Sequence, residues 1–156
     1  MSFKLSATLM AICLSACSHS QLRPFTTDGC SAFPDGSSEQ RKLWQHCCIA
    51  HDYAYWRGGS YQERVAADEV LKSCVAAQER PKTASLMHAG VRMGGTPLLP
   101  STFRWGYGWR YGKTYGPLTE REQRQVELQL ECPVEGALKQ SCESLKHRVI
   151  LKTIEP

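Results

Sequence analysis

Apolar and polar residues sort into helical spacings through the middle of the chain and into strict alternation further on. Trp44, Cys47, Cys48, His51 and Tyr55 recur at intervals of three and four residues, which places them on one face of a helix. Ser37 and Ser38 stand ahead of this run and can cap a helix that continues to about Arg57, where Gly58 and Gly59 stop it. Ser60 and Glu63 have the capping-box spacing. The second helix they open is predicted to run to about Arg80, ahead of Pro81, with Val65, Asp68, Leu71, Cys74 and Val75 on or beside its inward face. So short a turn makes the two helices antiparallel neighbours. A third, shorter helix is predicted over residues 83–91, before Gly94 and Gly95.

From Phe103 the period changes. Phe103, Trp105, Tyr107, Trp109 and Tyr111 alternate with Arg104, Gly106, Gly108, Arg110 and Gly112, and period two predicts an extended segment with its aromatics on one face. Two roles stay open for it: core burial, or an interfacial face with Arg104 and Arg110 meeting lipid phosphates. Thr119 and Glu122 repeat the capping-box spacing and predict a helix, although Val126, Leu128 and Leu130 alternate as in a strand. Residues 148–154 read as a short terminal strand, and residues 18–36 as loop. The expected fold class is mainly α: a small antiparallel two-helix core with irregular aromatic-rich and short-strand C-terminal segments.

Composition narrows the class without deciding it. The chain has 156 residues, 42% hydrophobic and 22% charged, with a net charge of +4. One globular domain fits this size, and no Lys/Arg block of the kind that follows a nucleic-acid backbone is present, so a nucleic-acid partner is set aside. A small positive balance suits an anionic membrane surface. At the N-terminus, Lys4 precedes an apolar stretch over residues 5–14 and small residues up to Cys17. This reads as an export signal too short to span a bilayer. Leu14-Ser15-Ala16-Cys17 resembles a bacterial lipobox, in which Cys17 is the lipidation site. Eight cysteines are present. Removing Cys13 with the signal and acylating Cys17 leaves six, an even set for an oxidising compartment, whereas ordinary cleavage and secretion would strand one thiol. The expected division is a lipoprotein signal over residues 1–16, a tether over 17–27 and one domain over 28–156, exported and anchored at an outer-membrane or periplasmic face, with free secretion as the alternative.

The chemistry concentrates in residues 47–55. His51 is the side chain here that takes a proton near neutrality. Asp52 follows it directly, so on a helix it points about 100° away and cannot orient the imidazole. It is free to bind a hard cation through oxygen. An orienting acid must come from elsewhere, and the facing helix offers Asp68. Adjacent Cys47 and Cys48 cannot pair with each other without distortion, so they reach separate partners. Cys47 can staple the two helices through Cys74, and Cys48 can pin the preceding loop through Cys30. With Cys47 stapled to Cys74, His51 four residues on and Asp68 six residues back come to one level.

Cys47-Cys48-x-x-His51-Asp52-x-x-Tyr55 resembles the active-site signature of the secreted phospholipase A2 family. The likeness covers roughly residues 28–75 and includes Asp68 six residues before Cys74. It implies a phospholipase A2-type disulfide-stapled core with pairs Cys30–Cys48 and Cys47–Cys74, leaving Cys132–Cys142. It implies calcium-dependent hydrolysis of the sn-2 acyl ester of glycerophospholipids, with His51 as general base, Asp68 as its orienting acid, Tyr55 as support and Asp52 as a Ca²⁺ ligand. The family's loop pattern Cys-Gly-x-Gly-Gly is replaced by Cys30-Ser31-Ala32-Phe33-Pro34. Backbone carbonyls of Gly29, Ser31 and Phe33 complete the cation site by resemblance, and a carboxylate of Asp28 or Asp35 is the alternative. The implied partner is a phospholipid membrane surface, met by a monomer. A catalytically silent module that binds lipid or protein on the same frame is the second expectation.

Overall fold

The computed structural model describes residues 22–129, which form four helices and, among the described residues, no strand. Cys17, Cys132, Cys142 and the expected strand over 148–154 lie outside the described residues. The helices are α1 (Gln45–Arg57), α2 (Tyr61–Ala76), α3 (Pro81–Gly94) and α4 (Glu120–Gln129). The mainly helical expectation holds, and both Cys30–Cys48 and Cys47–Cys74 are joined.

The first helix starts later than its pattern predicts. Residues 37–44 form turns, because the Trp44 backbone N–H donates to the Asp35 carbonyl at 3.0 Å and its indole N–H to the Pro34 carbonyl at 2.7 Å. These bonds fold the chain back on the preceding loop instead of letting it coil. Gly58, at φ +70°, ends α1 and donates its N–H to the Ala54 carbonyl. The α2 capping box forms as predicted, with Glu63 N–H on Ser60 Oγ at 3.2 Å and Ser60 N–H on Glu63 Oε2 at 2.7 Å. A turn after Ala76 then separates α2 from α3, which opens with Pro81 in its first turn, where a missing N–H costs nothing. The α4 segment is helical through Gln129, with Val126 buried and Leu128 exposed; the strand-like alternation there does not prevail.

α1 is buried on two faces, not one. Trp44, Cys47 and Cys48 join Leu71 and Val75 of α2 and Ala84 and Met87 of α3 in one apolar cluster. Tyr53 and Trp56 join Leu22, Trp109 and Val126 in a second. A helix covered this fully shows little amphipathic contrast, and the three-and-four spacing reports only the first face. Leu22 is buried, the Arg23 N–H bonds the Gly108 carbonyl at 2.9 Å, and Phe25 meets Tyr53 and Trp56 edge-on. Leu22 and Phe25 thus pack against the body, while Arg23, Pro24, Thr26 and Thr27 are exposed.

The aromatic segment is a chain of turns rather than an extended strand. Trp105 and Trp109 are buried while Phe103 and Tyr111 are exposed, so the five aromatics do not share one face. Its backbone is spent on the end of α1. Gly106 and Gly108 donate to the carbonyls of Tyr55 and Trp56 at 2.6 and 3.1 Å, and Trp109 Nε1 to that of Arg57 at 2.7 Å. Trp105 Nε1 reaches the Gly59 carbonyl at 2.9 Å. A helix leaves its last four carbonyls without partners, and a segment with free N–H groups and indoles satisfies them. That demand overrides the period-two pattern.

Candidate functional site

The disulfides and the α1–α2 pairing bring His51 and Asp68 together as their offsets predict. His51 Nε2 lies 2.8 Å from Asp68 Oδ1, with both residues buried. The Tyr55 hydroxyl, one helical turn beyond His51, donates to the same Asp68 oxygen at 2.8 Å. Its ring lies against the imidazole with centroids 4.2 Å apart. The predicted trio is therefore assembled.

Two further partners of Asp68 escape the sequence reading. Arg92 of α3 donates to Asp68 Oδ2 at 2.6 Å, and Arg64 Nε of α2 stands 3.8 Å from the same oxygen. Arg64 is itself buried and donates to the Tyr55 and Tyr115 hydroxyls at 3.0 and 2.6 Å and to the carbonyls of Val91 and Arg92, both at 2.8 Å. It ties the end of α3 to the acid. Burial alone would raise the Asp68 carboxyl; the hydrogen bonds from His51, Arg92 and Tyr55 outweigh it and hold the group below the ordinary carboxylate value. Asp68 is thus an anion near neutral pH. It accepts the Nε2 proton of His51, so the lone pair of the ring stands on Nδ1.

Asp52 turns away from that dyad, toward the loop. Its Oδ2 accepts the Thr27 hydroxyl at 2.6 Å, and Thr27 Oγ1 in turn accepts the Gly29 N–H at 3.1 Å. Asp35 Oδ1 accepts the Cys30 N–H at 2.8 Å, and Asp28 Oδ1 the Ser31 hydroxyl at 2.7 Å. Gly29 sits at φ +83°, and a Cβ there would meet Asp35 Oδ1 at 2.3 Å. Only glycine allows this backbone to close on the carboxylate. Burial, with the charges of Asp28 and Asp35, pushes the Asp52 carboxyl up to about 7 against the opposing Thr27 hydrogen bond. The loop is short of positive charge at the point where Asp52 enters it.

His51, Asp52 and Tyr55 open on a cleft of about 360 Å³ whose walls are mostly apolar, with Gly29, Ser31 and Phe33 on the loop side and Leu86, Met87 and Gly90 on the α3 side. A second, polar pocket of about 250 Å³ adjoins it at Ser31 and Asp52 and takes in Asp28 and Thr27. No family model matches this sequence, and neither a curated protein nor a solved structure matches it. Its chemistry must therefore be argued from these groups. One further cluster is not a metal centre: His46 lies 3.4 and 3.6 Å from the sulfurs of Cys47 and Cys74, but both are spent in a disulfide and offer no thiolate.

Arg64 had one local signal, since its spacing to Asp68 is that of an (i, i+4) ion pair. Arg92 had none. It arrives from a third helix, and only the packing of α3 brings it near.

Proposed function

We propose that this protein is a carboxylic ester hydrolase of the phospholipase A2 type, acting on the acyl ester of a glycerophospholipid. The observation that carries the reading is the buried hydrogen bond from His51 Nε2 to Asp68 Oδ1 at 2.8 Å, at the floor of an apolar cleft. With Nε2 committed, Nδ1 accepts a proton from a water. The oxygen of that water attacks the ester carbon, and the proton returns to the leaving alkoxide, giving fatty acid and lysophospholipid. Asp68 stabilises the imidazolium formed in between and keeps the ring in one tautomer. The apolar walls from Phe33 to Leu86 suit an acyl chain.

The donor set beside the dyad fits a hard divalent cation such as Ca²⁺. Asp52 supplies a half-buried carboxylate raised by burial and then by neighbouring acids, and Gly29, Ser31, Phe33 and Asp28, which line the adjoining pockets, would supply the remaining oxygens. When bound, such an ion polarises the ester carbonyl as a Lewis acid. Export and acylation at Cys17, expected from the N-terminus, would hold the cleft beside phospholipid.

The test is fatty-acid release from phospholipid vesicles, measured with and without a chelator for the native chain and for His51→Gln. Release should fall by at least about a hundredfold on losing the base and should stop in chelator. Release that ignores both changes sinks the mechanism. One observation favours the silent lipid-binding reading: the Thr27 hydroxyl already occupies one Asp52 oxygen. Vesicle binding without release of fatty acid would decide for it.

A further inference from the structure

A third pocket adjoins the polar one, and its charge has the opposite sign. It has a volume of about 570 Å³ and is walled by Arg23, Ser101, Arg104 and Tyr111 among others. Thr26, Thr102 and Tyr107 line both it and the pocket that reaches Asp28 and Asp52, and the Tyr107 hydroxyl donates to the Thr26 carbonyl at 2.6 Å at that boundary.

Arg104 is only 3% exposed, and a guanidinium so deep normally has a carboxylate against it. Among the described residues no acid lies within ion-pair distance of Arg104 or of Arg23. Arg104 donates to the carbonyls of Trp105, Gly106 and Trp109 at 3.2, 2.9 and 2.7 Å. Those bonds explain why a multiple donor stands here, but carbonyl dipoles do not neutralise a full charge. Nε–H and one terminal N–H of Arg104 keep no partner among the described residues. Its remaining neighbour is the ring of Tyr111, 5.5 Å from the guanidinium carbon. The second charge, Arg23, stands exposed on the same wall and repels the first: burial and then Arg23 lower the Arg104 pKa. Ser101 lines the same wall, but its hydroxyl is shielded from solvent, so the pocket's open donors are those of the arginines. Two cations with no carboxylate partner, around one open volume, make a receptor for a compact anion with several acceptor oxygens.

We propose that this pocket binds a phosphate group, with Arg23 closing on it from the rim and Arg104 beneath. The phosphate group is common to a free phosphate and to a lipid headgroup.

Binding to the full chain is read directly in chelator, so the result stands whether or not the protein hydrolyses esters. Inorganic phosphate is titrated against the Arg104 Nε–H resonance, with chloride at equal ionic strength as control. Phosphate should shift that resonance where chloride does not, and Arg23→Gln should weaken its affinity about tenfold. Arg110→Gln, which removes the same charge from an exposed site outside the pocket, should leave it unchanged. Equal shifts with chloride, or equal weakening by the Arg23 and Arg110 variants, would overturn the proposal. Retention on phosphatidylglycerol over phosphatidylcholine vesicles then names the source. A loss of retention in Arg23→Gln alone assigns the headgroup. Retention that is equal in both variants and the native chain, beside Arg23-dependent phosphate binding, assigns free phosphate.

Discussion

At the scale of single residues, Asp68 is the pivot. One oxygen takes His51 and Tyr55, and the other takes Arg92 with Arg64 close behind. Both oxygens are pinned, so the carboxylate cannot rotate away from the imidazole, and the His51 ring is fixed with it. The two arginines differ in burial, and that separates their expected effects. Arg64 is 3% exposed and holds two helix-end carbonyls and two tyrosine hydroxyls; Arg92 has a quarter of its side chain in solvent. Arg64→Leu should therefore cost about 3–5 kcal/mol in urea unfolding, the range for breaking a buried pair and orphaning its partners. Arg92→Leu should cost about 1–2 kcal/mol, because water can replace part of what is lost. Equal costs would show that Arg64 is not the buried anchor these contacts make it.

At the scale of elements, the aromatic segment acts as the cap of α1. Trp109 is fully buried and its indole N–H donates to the Arg57 carbonyl. Trp109→Phe keeps an aromatic ring in place but removes that donor. The expected cost is about 2–4 kcal/mol, the sum of an orphaned carbonyl and a partly emptied site. A parallel Tyr111→Phe substitution, at an exposed ring, should stay within about 0.5 kcal/mol; urea unfolding of both variants separates the two. The same segment marks the limit of what the chain discloses by pattern. α2 was legible because its signal is local: Ser60 and Glu63 carry their own partners, and the box forms as spaced. The His51–Asp68 pair was legible because two cysteines set the register of two neighbouring helices. The turns over residues 103–112 were not, since alternation describes side chains while the deciding need was for N–H groups at the end of another helix. Residues 37–44 failed for a related reason: Trp44 found carbonyl partners in a loop ten residues back, at Pro34. Arg92 was hidden because no spacing within α3 points at Asp68.

At the scale of the molecule, α4 closes the second cluster: Val126 packs with Leu22, Tyr53, Trp56 and Trp109. Gln125, which accepts the Leu22 N–H at 3.0 Å, and a nearly buried carboxylate add polar ties. Glu122 accepts Lys113 Nζ at 2.5 Å and the Thr119 N–H at 2.9 Å. Burial would raise its pKa, but the hydrogen bonds from Lys113 and Thr119 prevail and hold it below the ordinary value. A carboxyl lowered in the folded state binds its proton more weakly there than in the unfolded chain. Its stabilisation is then complete above the unfolded value of about 4.3 and is lost as pH falls through the folded one. Glu122→Gln should accordingly lower stability by about 1–2 kcal/mol at pH 7. The gap from the native chain should narrow below about pH 4, as native Glu122 itself takes up a proton. Lys113→Met should produce the same pH-dependent gap, because it removes the charge that keeps Glu122 ionised. Urea midpoints at several pH values read this directly, and a gap that stays constant from pH 7 to acid would show that the docking of α4 owes nothing to the charge of Glu122.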